Sequence, residues 1–275
     1  MTKTYVITGS TSGIGNAVVK KLSKDNLIFA GFRSEQKLKE LKYYENSNII
    51  PFFIDMTNPE SIKNAGDFIN SKTDKIDTLL NIAGCVVAGA VEELDINNLR
   101  KQFEVNTFSH LDLTQRLLPL LKGGKIINVS SMASFGIFPF VAPYCASKRA
   151  LDILFNSLQV EYGNDIKYVS IKPGVIATPL WNKSIDGNID LLSKTGKYKK
   201  EYEYLVNNAK DNEKNGLDVN KVVNTILKAD KSNNPKASYL VGKDAVVASI
   251  FSHLPQDIIK NILQIGIKLK IKKTG

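Results

Sequence analysis

Apolar and polar residues follow two different periods along this chain. Short runs rich in β-branched residues alternate with longer segments in which apolar residues recur every three or four positions. The short runs predict seven strands, at residues 4–8, 27–31, 49–54, 78–82, 124–130, 168–172 and 238–241. The segments between them predict helices, of which the stretch from Leu99 to Leu118 is a clear example. Such alternation is typical of an α/β protein with a doubly wound, mostly parallel sheet.

Residues 181–216 interrupt this alternation. They are polar, rich in lysine and carry three tyrosines, Tyr198, Tyr202 and Tyr204. A loop or short-helix insertion of this length after a strand is typical of a lid over a binding site, and the alternative is a solvated surface excursion. No Gly/Ser-rich or Pro-rich linker divides the chain. We therefore expect one domain at residues 1–254 with a lid at about 181–216, followed by a tail at 255–275.

The tail begins as an amphipathic helix. Pro255 predicts its start and Gly266 its end. Its apolar face carries Ile258, Ile259, Ile262 and Leu263. From 267 to 273, apolar residues alternate with lysines. The tail either packs against the core or another subunit, or attaches peripherally to an anionic membrane, where lysines and an apolar face act together.

The charge of the chain is concentrated in its last third. The 275 residues carry 37 Lys plus Arg against 27 Asp plus Glu, a net charge of +10. Residues 1–180 contribute +3 and residues 181–275 contribute +7. No basic stretch is interleaved with aromatic residues at a spacing that stacks bases. We therefore expect no nucleic-acid partner.

Cysteine usage and hydropathy point to the cytoplasm. Two cysteines exclude a disulfide-rich scaffold and favour a reducing compartment. No Cys/His pair has metal-ligand spacing, so no metal is expected. The N-terminal apolar run is too short for a signal peptide. The long apolar stretch at 239–254 contains Lys243 and Asp244, which argues against a membrane-spanning helix.

A glycine-rich turn lies between the first strand and the first helix. Glycines there let the backbone approach a pyrophosphate, whose charge is stabilised by amide groups at the helix N-terminus. The candidate cofactor residues are Gly9, Ser12, Gly13, Ile14 and Gly15. Their spacing differs from the G-x-G-x-x-G fingerprint, and an ordinary strand-helix turn is the alternative.

The end of the second strand favours NADP(H) over NAD. An acidic residue at this place binds the ribose hydroxyls of NAD, whereas a basic residue pairs with the 2′-phosphate of NADP. Here Phe32 occupies the position of the acid and Arg33 follows it. A guanidinium group is a planar donor suited to phosphate. In the alternative, Arg33 is a solvated cation and Glu35 serves the ribose.

Tyr144 and Lys148 lie four residues apart on a predicted helix, so they share one face. A tyrosine pKa near 10 must fall by two to three units for acid/base work near neutral pH, and a lysine cation one turn away lowers it. Ser131 follows the strand at 124–130, at the sheet edge where ligands bind. Its hydroxyl can therefore reach the same carbonyl oxygen.

Six motifs occur in a fixed order within residues 4–180. They are Gly9-xxx-Gly13-x-Gly15, Asn81-Ile82-Ala83-Gly84, Asn106, Ser131, Tyr144-xxx-Lys148 and Pro173-Gly174-Val175-Ile176-Ala177-Thr178. Together they resemble the short-chain dehydrogenase/reductase family. The resemblance implies a Rossmann-type sheet and a nicotinamide-dependent oxidoreductase acting on a small-molecule carbonyl or alcohol. It also implies a homodimer or homotetramer formed through the helices that carry Asn106 and Tyr144.

The same resemblance assigns roles. Tyr144 is the acid/base, and Lys148 modulates its pKa and binds ribose. Ser131 polarises the carbonyl, and Asn106 anchors a water-mediated proton relay. Further cofactor contacts fall on Asp55 and Met56 beside adenine, on Asn81, Ala83 and Gly84 beside the adenosine ribose, and on Ile176 and Thr178 beside the nicotinamide carboxamide. Ile82 replaces a second asparagine usual in the family, which puts local hydrogen bonding in doubt.

Other residues keep two interpretations. His110 and His253 are expected to be structural or exposed, and Cys145 to be a packed small residue. Trp181 either caps the substrate pocket or anchors the base of the lid. Four apolar residues either line an apolar substrate pocket or belong to the core: Phe135, Ile137, Phe138 and Phe140.

Two functional classes compete with the enzyme. A dinucleotide-binding sensor predicts loss of Tyr144 or Lys148, and a membrane-surface binding protein leaves the catalytic motifs unexplained. Within the family, Phe32-Arg33 and Tyr-Cys-Ala-Ser-Lys resemble NADP-preferring members related to steroid and retinol dehydrogenases and carbonyl reductases.

Overall fold

The computed structural model describes residues 2–193 and 195–274, without the side chains of Tyr44 and of residues 270–274. The strands are β1 (Thr4–Ile7), β2 (Leu27–Phe32), β3 (Ile49–Phe53), β4 (Thr78–Asn81), β5 (Lys125–Val129), β6 (Lys167–Pro173) and β7 (Ser238–Val241). The helices are α1 (Gly13–Leu22), α2 (Glu35–Glu40), α3 (Pro59–Asn70), α4 (Ile96–Phe103), α5 (Ser109–Leu117), α6 (Ala142–Tyr162), α7 (Leu180–Gly187), α8 (Ile189–Leu192), α9 (Lys199–Asn215), α10 (Val219–Lys231), α11 (Lys243–Phe251) and α12 (Gln256–Thr274).

The seven described strands form one parallel sheet in the order β3-β2-β1-β4-β5-β6-β7. The predicted doubly wound architecture is therefore confirmed, and no predicted strand end differs from the observed one by more than one residue. The chain order reverses between β1 and β4. In such sheets, the loops after the two strands at the reversal diverge and leave a crevice for a ligand.

Both faces of the sheet are covered by helices. On β1, Tyr5 and Ile7 face one apolar layer, which α1 and α10 complete. Val6, between them, faces the opposite layer, which α3, α5 and α6 complete. Alternate side chains of a strand point to opposite faces, so strands covered on both faces are apolar at nearly every position. This explains the continuous apolar runs in the sequence.

The helix predicted around residues 99–118 contains an irregularity. Helix α4 passes through a π-helical turn at Glu104–Phe108 before α5 begins. In this turn the Ser109 N–H donates to the Glu104 carbonyl, five residues earlier. A π turn disrupts the α-helical ladder and is frequent at functional sites. It brings Asn106 to the inside of the molecule, where the residue is fully buried.

The lid is more helical than predicted. Instead of a loop or short helices, the segment contains α7, α8 and the long helix α9. Tyr202 of α9 is buried in a small apolar cluster with Ala90 and Leu192. Tyr198, Tyr202, Leu205, Val206 and Ala209 share one face of the helix. The sequence did not predict the length of α9, because the many lysines of the segment obscured this apolar face.

The tail helix also extends beyond its predicted end. Helix α12 begins after Pro255 as predicted, but it continues through Gly266 to Thr274. An interior glycine costs a helix only about 1 kcal/mol relative to alanine. Ile262, Ile265 and Leu269 continue the helical spacing across it, so the helix does not end there. The predicted alternation at 270–273 lies outside the described side chains, and the boundary at residue 254 stays a prediction.

Within the described residues, no helix is both long and apolar enough to cross a membrane.

A buried carboxylate fastens the amino ends of the strands. Asp230, near the end of α10, accepts hydrogen bonds from Tyr5 Oη at 2.8 Å and from Thr78 Oγ1 at 2.6 Å. It also pairs with the Lys3 ammonium group at 2.9 Å. Asp230 is 3% exposed, so its charge depends on these partners for stabilisation. The cluster lies at the edge of the sheet opposite to the carboxyl ends.

Asp230→Ala should therefore destabilise the protein without impairing its chemistry. Removal leaves the buried hydroxyls of Tyr5 and Thr78 without an acceptor and removes the ion partner of Lys3, which should lower the free energy of unfolding by about 3 kcal/mol. Urea unfolding followed by circular dichroism measures this loss. Asp74→Ala, at an exposed loop residue, is the matched control. Equal unfolding midpoints for the two variants would contradict the role given to Asp230.

Candidate active site

The glycine-rich turn follows β1 at the carboxyl edge of the sheet. Gly9 and Gly13 have positive φ values of 66° and 50°, which favour glycine. A Cβ on Gly15 would lie 2.1 Å from the Gly9 carbonyl oxygen, so the turn is too tight for any side chain there. Ser12, the N-cap residue of α1, makes no side-chain cap hydrogen bond, and no acidic residue lies in the first turn. The N-terminal amide groups of α1 therefore remain free of a protein carboxylate.

The loop after β4 lies directly against this turn. A Cβ on Gly9 would lie 2.9 Å from the Cα of Ala83. The Thr8 hydroxyl accepts hydrogen bonds from the backbone N–H groups of Ile82 and Ala83, at 2.9 and 3.2 Å. These bonds hold the backbone whichever side chain residue 82 carries, so the substitution at Ile82 leaves the loop anchored.

Asn81 ends β4 and is buried. Its amide nitrogen donates to Asn128 Oδ1 of β5 at 2.9 Å, while its own oxygen accepts no hydrogen bond from the described residues. The side chain ties the two strands together at the carboxyl edge.

Arg33 and Asp55 follow the neighbouring strands β2 and β3. Arg33 is exposed, whereas Met56, next to Asp55, is buried. Burial alone would raise the pKa of the Asp55 carboxyl group. Hydrogen bonds from Thr57 and the charges of Arg33 and Lys101 outweigh burial and hold this pKa below its ordinary value. Asp55 is therefore ionised at neutral pH, close to the Arg33 guanidinium.

The segment after β6 closes the other side of the turn. Thr178 lies within 3.5 Å of the place where a Cβ on Gly13 would stand, and Ile176 is buried beside it. The Trp181 indole N–H donates to the Ile176 carbonyl at 2.8 Å. Of the two interpretations of Trp181, this bond favours an anchor at the base of the lid.

Tyr144 and Lys148 lie one turn apart at the start of α6, with Ser131 beside them. The Lys148 ammonium group is 5.9 Å from the centre of the Tyr144 ring and donates to the Val129 carbonyl at 2.9 Å. The Ser131 hydroxyl accepts from the Ala133 N–H at 3.1 Å. It also lies close enough to Tyr144 to lower the pKa of the phenol through hydrogen bonding.

Burial decides the charge states of this pair. It raises the pKa of Tyr144 to about 12, because desolvation outweighs the hydrogen bond from Ser131. Burial lowers the pKa of Lys148 to about 8, although the carboxylate of Asp152 opposes this shift. At neutral pH Tyr144 is therefore a protonated phenol and Lys148 is mainly a cation. Tyr144, which lies beside Ser131, therefore holds a proton that it can donate.

Asn106 connects the π turn to the site. Its side-chain oxygen accepts from the Cys85 N–H at 2.9 Å. Its nitrogen donates to the Cys85 carbonyl at 3.0 Å and to Ser147 Oγ at 3.1 Å. A Cβ on Gly84 would lie 3.4 Å from Asn106 Oδ1 and 3.7 Å from Lys148 Nζ. The loop after β4, the π turn and α6 therefore meet at one point.

The family model described as short chain dehydrogenase matches residues 3–188. The chain belongs to the short-chain dehydrogenase/reductase family. An NADPH-dependent 3-dehydrocapnine reductase of Ornithobacterium rhinotracheale is 32% identical over 267 residues, covering 92% of each chain.

Solved structures of this family share the fold. A short chain dehydrogenase/reductase from Burkholderia phymatum in complex with NAD superposes with a TM-score of 0.79 at 19% identity, over 94% of this chain and 95% of that chain. A short chain dehydrogenase from Burkholderia cenocepacia J2315 in complex with NADP gives a TM-score of 0.73 at 23% identity, over 95% and 97%.

The residues present in this short-chain dehydrogenase/reductase fit a dinucleotide. The side-chain-free turn and the uncapped N-terminus of α1 suit a pyrophosphate, because backbone amides can approach it closely. Arg33 and the turn lie at the same edge of the sheet as Tyr144. All the residues expected to bind the cofactor or to act in catalysis follow strands at this edge or lie on helices that reach it.

His110 and Cys145, which were not expected to act in catalysis, are buried. The His110 imidazole is fully buried and contacts the Ala83 carbonyl through Nε2 at 2.9 Å. Burial and the Lys148 charge lower its pKa to about 3, so it is neutral. Cys145 is buried and free, and burial raises the pKa of its thiol to about 11. Neither residue carries a charge at neutral pH. In the described part of the chain, no three His, Cys, Asp or Glu side chains form a metal-binding group.

Three residues at this edge were not identified from the sequence. Thr8 holds the loop after β4, Ser147 binds Asn106, and Lys183 of α7 donates to Ser12 Oγ at 3.3 Å. Thr8 and Ser147 adjoin predicted motifs, which is a usable signal. Lys183 has none, since it is one lysine among many in a polar segment.

Proposed function

We propose that this protein is an NADP(H)-dependent oxidoreductase that interconverts a carbonyl and an alcohol on a fairly apolar small molecule. The observation that carries the proposal is the meeting of Tyr144, Ser131 and Lys148 beside the glycine-rich turn. A sensor or a pure membrane-binding protein has no use for a buried lysine next to a phenol. Burial of both groups costs stability, and ionisable groups with pKa values shifted in this way cluster at catalytic sites.

In the reductive direction, Tyr144 gives its proton to the carbonyl oxygen. The raised pKa of its phenol keeps this proton in place at neutral pH until a carbonyl arrives. Ser131 donates a hydrogen bond to the same oxygen and stabilises the negative charge that develops on it. When bound, a nicotinamide dinucleotide supplies the hydride that reaches the carbonyl carbon.

Lys148 and Asn106 return the proton to Tyr144. The Lys148 cation stabilises the phenolate left after proton transfer, because opposite charges in a buried site attract strongly. The π turn at Asn106 disrupts the α-helical ladder of hydrogen bonds, and a backbone carbonyl released there would suit a relay water. Above about pH 8 Lys148 loses its charge, so the phenolate loses this stabilisation.

The choice of NADP(H) rests on Arg33. Members of this fold carry either NAD or NADP. The side chains at the end of β2 must therefore decide. Phe32 is buried there and offers no carboxylate to the ribose, whereas Arg33 is exposed at the edge. The relative from Ornithobacterium rhinotracheale, described as NADPH-dependent, supports this choice.

An apolar carbonyl substrate fits the lid side of the site. Phe140 has a left-handed backbone, with φ of 65°, and its ring lies 5.8 Å from that of Tyr198 in the lid. The side chain of Ile137, three residues before Phe140, is 48% exposed. Phe135 is half-buried, and the centre of its ring instead lies 4.4 Å from the buried Lys172 ammonium group. The related reductase acts on 3-dehydrocapnine by its description, which supports reduction of a carbonyl.

A homodimer or homotetramer formed through the helices of Asn106 and Tyr144 is part of the proposal. Phe108, Ile153 and Val160 on these helices are exposed by 51%, 53% and 82%. Apolar side chains at this exposure favour burial against another subunit.

Cytoplasmic location with peripheral membrane contact completes the proposal. The exposed residues Ile258, Ile262, Ile265 and Leu269 form one stripe along α12. An apolar stripe beside lysines suits the surface of an anionic membrane.

Tyr144→Phe should leave cofactor binding almost unchanged and lower kcat about 10³-fold, because only the transferable proton is removed. NADPH binding by fluorescence and turnover with a panel of ketones, aldehydes, steroids, retinoids and acyl-thioester ketones measure the two effects. Tyr162→Phe, at the far end of α6, is the control. Turnover retained by Tyr144→Phe would overturn the assignment.

Arg33→Ala should weaken NADPH binding about tenfold or more, since a charge-assisted phosphate contact is lost. NADH binding should change little. Titration of both nucleotides measures the difference, with Arg100→Ala as an exposed arginine control. Equal losses for NADPH and NADH would refute phosphate recognition by Arg33.

The pair Ile262→Glu and Ile265→Glu should abolish binding to phosphatidylserine-containing vesicles by placing charge in the apolar stripe. Asn261→Glu with Gln264→Glu adds the same charge at exposed polar positions of α12. Co-sedimentation should distinguish the two pairs. Identical sedimentation, or none for the wild type, would dispose of the membrane contact.

A further inference from the structure

A lysine of the lid reaches the glycine-rich turn. Lys183 lies in the first turn of α7, and its ammonium group donates to Ser12 Oγ at 3.3 Å. The two residues are 171 positions apart in the chain. Ser12 is the N-cap residue of α1, where the proposed pyrophosphate site begins. This is a direct link between the lid and the cofactor end of the molecule.

Two further cations lie at the same place. Lys37 of α2 and Arg33 at the end of β2 act on Lys183. Partial burial, and then the charges of Lys37 and Arg33, hold the pKa of Lys183 below its ordinary value. The Lys37 and Lys183 ammonium groups lie close enough to repel each other. Three positive groups from two separate parts of the chain therefore converge.

The carboxylates nearby have other partners. Glu213 of α9 attracts Lys183, but its Oε2 atom accepts from the backbone N–H of Asn182 at 3.0 Å. Asp55 is near Arg33 but accepts two hydrogen bonds from Thr57. Glu213 and Asp55 keep their charges and offset part of the repulsion among the three cations, and a doubly charged anion bound there would offset more of it.

We propose that Arg33, Lys37 and Lys183 form one phosphate-monoester site, and that its ligand, the adenosine 2′-phosphate of NADP(H), fastens the lid. The inference rests on the proposed use of NADP(H) and adds Lys183 as a specificity-determining residue. Arg33 and Lys37 stand at the end of β2, where the adenosine ribose binds in this fold. Lys183 is the group that joins this end to the lid. NAD(H), which lacks the phosphate, binds without fastening it.

The pyrophosphate is the other phosphate that Lys183 can reach, through its contact with Ser12. Both nucleotides contain a pyrophosphate, whereas only NADP(H) contains the monoester. Comparing the two nucleotides therefore separates these sources. A lysine on the pyrophosphate weakens both when it is removed, and a lysine on the 2′-phosphate weakens one.

The experiment measures binding of NADPH, NADH and 2′-AMP to Lys183→Gln by titration, and amide hydrogen exchange of residues 180–187 with each nucleotide. Lys183→Gln should weaken NADPH and 2′-AMP about tenfold and change NADH less than about twofold. NADPH should slow exchange in the wild-type lid more than NADH does. The variant should lose that difference.

Two variants serve as controls. Lys183→Arg keeps the charge and should retain the NADPH preference. Lys200→Gln removes one exposed lid charge away from Ser12 and should behave as wild type. Wild-type protein that bound NADH as tightly as NADPH would overturn the proposed cofactor and this site together. A wild-type preference for NADPH, with equal weakening of both nucleotides in Lys183→Gln, would overturn the role of Lys183 alone.

Discussion

Parallel pairing of β1 with β4 is the constraint on which the rest of the molecule depends. It places the turn after β1 and the loop after β4 side by side, so closely that a Cβ on Gly9 would meet the Ala83 backbone at 2.9 Å. The Thr8 hydroxyl then bonds two amides of the neighbouring loop. Because the other strands run in the same direction, their carboxyl ends deliver Arg33, Asp55, Ser131 and Thr178 to this edge. The opposite edge is left to the buried Asp230 cluster, which fastens α10 to the strands.

The catalytic pair illustrates how burial sets chemistry. A phenol and an ammonium group one helical turn apart are both shifted toward their neutral forms by desolvation, with pKa values of about 12 and 8. At neutral pH Tyr144 is therefore a protonated phenol rather than a phenolate. The Lys148 cation acts strongly on this phenol, because a buried group has little water around it to compete. Such a site favours proton donation at neutral pH and proton acceptance when positive charge is close.

The excess positive charge of the chain lies mainly in its last third, which includes the lid and the C-terminal tail. Seven of the ten net charges lie after residue 180. Among the lysines of this segment, Lys183 donates to Ser12 Oγ, and others lie along the exposed side of α12. By our proposals, Lys183 of the lid acts on the nucleotide, and the apolar stripe of α12 acts at a membrane surface.

The amino-acid sequence alone determined the sheet, because strands buried on both faces must be apolar at nearly every position. It also determined the glycine turn, the Tyr144–Lys148 spacing and Arg33, since each depends on neighbours close in the chain. The extent of the lid and tail helices was not predicted, because lysines masked one apolar face and Gly266 suggested an end that its neighbours override. Only the tertiary structure decided the π turn around Asn106, the pKa values of the buried pair and the approach of Lys183 to Ser12. These depend on contacts between residues far apart in the chain, and no local pattern encodes such contacts.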